Sequence, residues 1–245
     1  MKMMNISKNE FISLCDTCFR ENGIEEFCTA DILEALFQMT ENLLRVNASM
    51  NLTAITEPHD IIVKHLTDSL SAAKFIPEDA KLLDVGCGGG FPSLPLAIAR
   101  PDLRITALDS TAKKTAYVAE AAKLLSLSNL QTLTGRAEEL AQEPQYRETF
   151  DVVIARAVAA LPVLSELCLP FVRIGGKMIA MKAKLDESEQ TKAWQHLGAA
   201  PFHRHEFQLM GGKTPEERLI LETKKHSSTP KAYPRAYAQI KKKPL

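Results

Sequence analysis

Two rhythms of apolar residues divide this chain. Before residue 50 the spacing is helical: Phe11, Leu14, Cys15, Cys18 and Phe19 share one face, and Ile32, Leu36, Met39, Leu43 and Val46 share another. Asp31-Ile32-Leu33-Glu34 predicts a capping box opening the second helix. From residue 81 short apolar runs take over, starting near Leu82, Ile105, Leu130, Val152 and Met178, at intervals of 23, 25, 22 and 26 residues. Helical stretches lie between them, such as Ala112 to Leu125 and Leu161 to Val172. Strand-helix units at that spacing predict a parallel sheet with right-handed crossovers. After Gly198 two extended runs, His203 to Leu209 and Arg218 to Glu222, predict closing strands paired antiparallel. The expected organisation is a helical cap over residues 1–64, a doubly wound α/β core over 65–223 and a basic tail over 224–245, packed as one compact unit.

Composition narrows the class. Hydrophobic residues make up 45% and charged residues 24% of 245 positions, ordinary values for a globular protein, and no apolar run has membrane-spanning length. The first residues lack the apolar stretch and cleavage site of a secretory signal, so a cytoplasmic enzyme is expected. Its five cysteines are then expected to stay reduced, and Cys15-x-x-Cys18, with no second pair, reads as core thiols rather than a metal site. The formal net charge of zero hides an uneven layout. Residues 1–80 hold six Lys/Arg against thirteen Asp/Glu, whereas residues 224–245 hold seven Lys/Arg and no acid. That split points either to an anionic partner for the tail or to a solvated tail.

The densest chemistry follows the first strand, in Asp84-Val85-Gly86-Cys87-Gly88-Gly89-Gly90-Phe91. Four glycines in five positions make a turn that a ligand can approach closely. The last position of a dinucleotide fingerprint falls on Phe91, so a pyrophosphate site is not spelled out. The neighbouring acid suits a cationic ligand, and S-adenosylmethionine carries an ammonium and a sulfonium. In such sheets ligands bind beyond the carboxyl ends of the strands. The second strand ends at Asp109, 25 residues after Asp84, where a carboxylate can accept both ribose hydroxyls; the alternative is a helix cap shared with Ser110. The next ends bring Arg136, Arg156 and Lys182, expected to gather at one rim where they would grip a polyanion. On these residues alone a nucleotide-dependent oxidoreductase, a methyltransferase for another substrate and a non-catalytic RNA-binding module remain open.

A wider set of motifs carries a resemblance. Asp84-Val85-Gly86-x-Gly88-x-Gly90-Phe91-Pro92, Asp109-Ser110-x-x-Lys113-Lys114, Gly135-Arg136-Ala137-Glu138 and Arg156-Ala157 follow the upstream Asn51-Leu52-Thr53-Ala54 and His65-Leu66-x-Asp68-Ser69-Leu70. From about Asn47 to the tail the chain resembles the ribosomal RNA small subunit methyltransferase G family, formerly glucose-inhibited division protein B. The resemblance implies a class I S-adenosylmethionine-dependent methyltransferase fold, Rossmann-like with an antiparallel final strand, and methylation of N7 of one guanine in 16S ribosomal RNA. It implies S-adenosylmethionine as cofactor, 16S ribosomal RNA or the assembling small subunit as partner, no metal, no membrane and a monomer.

Carried over residue by residue, the cofactor site would comprise Asp84, Gly86, Gly88, Phe91, Asp109, Ser110, Ala137, Glu138 and Arg156. Arg136, Arg156 and Lys182 would serve catalysis, and Lys113, Lys114, Arg136, Lys182, Arg218 and Arg235 would contact RNA. Tyr233 and Tyr237 are candidates to stack on exposed bases. Ser93, Ala183 and the tail sequence Tyr233-Pro234-Arg235-Ala236-Tyr237-Ala238 depart from the family's usual residues. Guanine N7 offers an in-plane lone pair and no proton, so alignment rather than a general base is expected to carry the reaction.

Overall fold

The computed structural model describes residues 4–184 and 191–245. Residues 1–3 of the expected cap and 185–190 of the expected core lie outside the described residues. The sheet has seven strands in the order β3-β2-β1-β4-β5-β7-β6. The parallel strands are β1 (Lys81–Val85), β2 (Arg104–Asp109), β3 (Leu130–Thr134), β4 (Phe150–Arg156) and β5 (Val172–Lys182). β7 (Glu216–Lys224) pairs antiparallel with both β5 and β6 (His203–Leu209). The strand order reverses at β1, which pairs with β2 on one side and β4 on the other. The carboxyl ends of β1 and β4 therefore bound a switch-point crevice, the place where such sheets bind ligands.

Two helices open the chain, α1 (Lys8–Glu21) and α2 (Ala30–Met50). Phe11, Cys15, Cys18 and Phe19 are buried, and burial raises the thiol pKa of Cys18 to about 11, which keeps it protonated. α2 starts earlier than its sequence suggests. Thr29 is the N-cap, its hydroxyl accepting from the Ile32 amide at 3.4 Å, and Asp31 sits inside the first turn. The hydroxyl that reaches the free amides first displaces the capping box expected at Asp31.

A third helical segment joins this cap to the sheet. α3 (Pro58–Ile61) and α4 (Asp68–Leu70) flank a π-helical stretch, Ile62–Thr67, in which the Thr67 hydroxyl donates to the Ile62 carbonyl at 2.9 Å. Such a π turn changes the angular position of every later side chain on the helix, and these turns recur at functional sites. Its apolar residues Ile62, Val63 and Leu66 are fully or almost fully buried in a core shared with α1, α2 and α5 (Ser93–Ala99).

The other face of the sheet is covered by α8 (Leu161–Cys168), which gives way to a 3-10 turn at Leu169–Phe171, before the predicted end at Val172. α6 (Ala112–Leu124) follows β2, the short α7 (Ala137–Leu140) follows β3, and the short α9 (Ala193–His196) precedes β6. The basic tail is docked on this framework. Lys225 is fully buried, its ammonium bonded to the Leu169 carbonyl, the Thr229 hydroxyl and Glu148 at 2.8, 2.6 and 2.9 Å. Arg147 donates to the carbonyls of Thr229 and Tyr233, and α10 (Tyr237–Lys242) buries Ile240 against Val163 and Leu167. No helix among the described residues is long and apolar enough to cross a membrane.

Candidate active site

Two adjoining cavities occupy the crevice. The first, about 320 Å³, is lined by Gly86 from the glycine loop, Asp109 at the end of β2, Ser110 and Lys114 beyond it, Arg136, Ala137 and Glu138 beyond β3, and Tyr237. The second, about 490 Å³, is lined by Lys64, His65, Asp68, Arg156, Met181, Lys182, Lys184 and Arg218 among others. Ala157 and Ala159 belong to both walls, so the cavities meet at the loop after β4. A larger cavity, about 570 Å³, lies at the opposite end of the strands around Lys74, Asp79, Arg100 and Asp102.

The first cavity is shaped by backbone turns. Gly86 adopts φ +79, and a Cβ there would lie 2.6 Å from Val158 Cγ2, closing the gap between the glycine loop and the β4 loop. Gly90, at φ +87, lets the helix after the loop pack closely, since a Cβ would lie 2.4 Å from Leu94 Cδ1. Asp109 holds the middle. Its Oδ2 accepts from the Gly88 amide at 3.1 Å and its Oδ1 from the Thr111 amide at 2.9 Å. Each carboxylate oxygen has a second lone pair, so a diol in the cavity could still be accepted by both. The cap and the ligand roles weighed for Asp109 are thus compatible. The Lys114 ammonium stands 3.9 Å from Asp109 and lines this cavity beside the cofactor candidates.

Three of the expected cofactor contacts lie behind the wall. Asp84 is fully buried; its Oδ2 accepts from the Ser93 hydroxyl, its Oδ1 has no partner, and burial raises its pKa to about 6. It therefore reaches the ligand space only through Ser93 and the loop it underpins. Ser93 supplies the donor that this carboxylate needs. Gly88 contributes an amide to Asp109, not a wall. Phe91 is 6% exposed and stacks on His65 at 4.3 Å between ring centroids, with Arg156 above it at 5.4 Å.

The second cavity is shaped by ion pairs. Arg156 Nη1 donates to the Lys64 carbonyl and to Asp68 Oδ2, both at 2.9 Å, and its Nη2 lies 3.1 Å from His65 Nδ1. A guanidinium only donates, so His65 Nδ1 accepts and its Nε2–H points to the Thr53 hydroxyl at 2.8 Å. Burial, reinforced by the Arg156 charge, lowers the His65 pKa to about 3, which keeps the ring neutral. Asp68 Oδ1 accepts from Arg218 Nε at 3.2 Å, and Arg218 also donates to Glu216 at 2.9 Å. One buried carboxylate therefore holds two guanidiniums.

These pairs separate the cations expected at one rim. Arg136 faces the first cavity, Arg156 and Lys182 face the second, and Lys182 donates to the Ala159 carbonyl at 3.3 Å. Arg218, also on the second cavity, is ion-paired to Asp68 and Glu216. Arg235 is likewise internal: its guanidinium and amide make three hydrogen bonds of 2.6 to 2.9 Å to Glu166, whose side chain is fully buried. A buried carboxylate demands a partner and takes the nearest guanidinium. Lys113 is exposed on α6 outside both cavities. Lys64, His65 and Asp68 enter the site without having been assigned a role from sequence, although His65 and Asp68 stand in a motif that carried the resemblance. Among the described residues no group of three or more His, Cys, Asp or Glu could hold a metal ion.

Comparison with known proteins agrees with this architecture. The family model described as rRNA small subunit methyltransferase G matches residues 32–218. A protein of Leuconostoc mesenteroides named ribosomal RNA small subunit methyltransferase G is 42% identical over 212 residues, covering 84% of this chain and 87% of its own. One of the same name from Brevibacillus brevis is 43% identical over 208 residues, covering 83% and 87%. In structure the chain is similar to an O-methyltransferase of Bacillus cereus solved in complex with SAH, with a TM-score of 0.53 and 20% identity over 77% of this chain and 91% of that one. That likeness shows the fold, here a seven-stranded Rossmann-like sheet with its antiparallel strand at β7.

Proposed function

The chain belongs to the rRNA small subunit methyltransferase G family, and from that premise we propose that it moves the methyl group of S-adenosylmethionine to N7 of one guanine in 16S ribosomal RNA. The observation that carries this reading is the pair of cavities meeting at Ala157 and Ala159, one with a ribose-ready carboxylate and the other lined by the cations Lys64, Arg156, Lys182, Lys184 and Arg218. The first cavity fits the cofactor: Asp109 accepts the ribose hydroxyls, Ser110, Ala137 and Glu138 surround the base, and Gly86 leaves the opening that a Cβ would fill. When bound, S-adenosylmethionine supplies an electrophilic methyl group on a sulfonium. Lys182 and Lys184 on the second cavity orient the guanine and its phosphates, so that the N7 lone pair lines up with the methyl carbon.

The electron balance needs no proton carrier. The donor, held by Asp109, Ser110, Ala137 and Glu138, would supply a methyl carbon whose bond to sulfur leaves its electron pair on sulfur, and the N7 lone pair would take that carbon, with the positive charge passing to the guanine, without any residue moving a proton. His65, neutral and bonded through both nitrogens, acts by fixing Arg156, not by taking a proton. The test is to expose 16S ribosomal RNA to the purified protein and isotopically labelled cofactor, then map 7-methylguanine by strand scission. One labelled position, cleaved under conditions selective for 7-methylguanine, is the expected result. Label in another base or at an exocyclic atom overturns the N7 assignment, and no label in RNA overturns the substrate.

A further inference from the structure

The docked tail puts an aromatic side chain where the sequence suggested an RNA contact. Tyr237 begins α10 and lines the Asp109 cavity together with Leu167 of α8. It is held there from several directions. Two residues before it, Arg235 is clasped by Glu166; Gln142, beyond α7, donates to the Pro234 carbonyl at 2.8 Å; and Ile240, three residues after it, is fully buried in a cluster to which Ala137 also belongs. The ring is nevertheless 38% exposed, as is Val158 on the same cavity. Two large apolar side chains thus face solvent beside one opening, and a flat ring system would cover them.

Resting on the cofactor reading above, we infer that the C-terminal segment is the outer wall of the cofactor site, with Tyr237 packing its ring on the adenine of the bound methyl donor. The order of the walls identifies the base as the part in contact. The glycine loop follows β1, Asp109 ends β2 and Ala137 follows β3, so a ligand whose ribose sits at Asp109 lies between a loop side and an Ala137 side. Tyr237 belongs to the Ala137 side through Ile240 and Leu167. An aromatic ring there discriminates by face, not by charge, and leaves the tail lysines Lys241, Lys242 and Lys243 exposed for other uses.

The experiment uses the full chain and S-adenosylhomocysteine as probe, with binding measured by calorimetry for the wild type, Tyr237→Ala and Tyr237→Phe. Stacking on a partly exposed ring predicts about tenfold weaker binding for the alanine variant and near-normal binding for phenylalanine. In steady-state assays the KM for S-adenosylmethionine should rise by a similar factor while kcat at saturation and the KM for RNA hold. Unchanged probe affinity in Tyr237→Ala overturns the inference and leaves the cofactor reading intact. A raised KM for RNA with normal probe affinity overturns it in favour of an RNA contact. Failure of the wild type to bind the probe, with Asp109→Ala equally silent, removes the cofactor reading and this inference with it.

Discussion

The two cavities share two alanines and are built in opposite ways. Around Asp109 the shaping hydrogen bonds join neighbours in the chain or in the sheet: Thr111 two residues away, Gly88 on the adjacent turn, and the Gly86 amide to the Leu108 carbonyl. Around Lys182 they join residues 88 and 150 apart, Arg156 and Arg218 to Asp68. The first cavity follows from where strands end. The second exists only once the π-helical segment, β4 and β7 have come together, so its wall residues are also fold residues. A substitution in the first should therefore be felt by ligands, and one in the second by the folded state.

The sharpest way to break that distinction is Asp68→Ala. Both guanidiniums have side chains largely removed from water, at 14% and 12% exposure, and would lose their shared counter-charge. Removing one partner of a buried pair costs roughly 3–5 kcal/mol. Urea unfolding should register a loss of that order for Asp68→Ala and about 1 kcal/mol or less for Asp109→Ala, whose lost bonds are to two part-buried turn amides beside an open cavity. Equal losses would show that both cavities are structural to the same degree.

Ligand affinity sharpens the same contrast from the other side. Two charge-assisted hydrogen bonds to a ribose predict that Asp109→Ala weakens S-adenosylhomocysteine roughly 100-fold. Lys182→Ala, across the shared alanines, should change that affinity less than about twofold while slowing single-turnover methylation of RNA. Calorimetry and rapid-quench assays separate these outcomes; a large loss of cofactor affinity in Lys182→Ala would merge the two cavities into one site.

The same division explains what the sequence alone revealed. Strand spacing located all five parallel strands and the antiparallel closing pair, because period and turn residues are local properties. Asp109, Ser110, Ala137 and Glu138 line one cavity as expected of residues at or shortly after strand ends, which is again a local property. That Asp84, Gly88 and Phe91 pack behind the cavity lining was not legible, because sequence position cannot tell the ligand side of a tight loop from its underside. The ion pairs of Arg156, Arg218 and Arg235 were not legible, because their partners, Asp68 and Glu166, are remote in sequence and give no local signal. Net charge misled for the same reason: Lys225 and Arg235 of the basic tail neutralise Glu148 and Glu166 inside the fold. Thr53 and His65 did carry a signal, as parts of two separate motifs whose residues turn out to be bonded to each other.

The smallest effect tests the neutral ring at the centre of the second cavity. In the folded chain the His65 pKa falls from 6.5 to about 3, chiefly through burial and then through Arg156. Between those values the unfolded chain binds a proton that the folded chain refuses, so stability is lost as pH falls from 6.5 toward 3. One such proton contributes a slope approaching about 1.4 kcal/mol per pH unit. Asp84 works in the other direction. Its pKa rises from 3.8 to about 6 on folding, so between 6 and 3.8 the folded chain holds the extra proton and gains stability on acidification. The two contributions largely cancel below pH 6 in the wild type. In His65→Gln only Asp84 would remain of the pair, and unfolding free energies measured from pH 6.5 down to 4 should decline less steeply than in the wild type, even if the variant starts lower through lost stacking on Phe91. Parallel curves would mean that His65 takes up its proton in the folded chain, and the ring would then be a titrating member of the site rather than a fixed prop for Arg156.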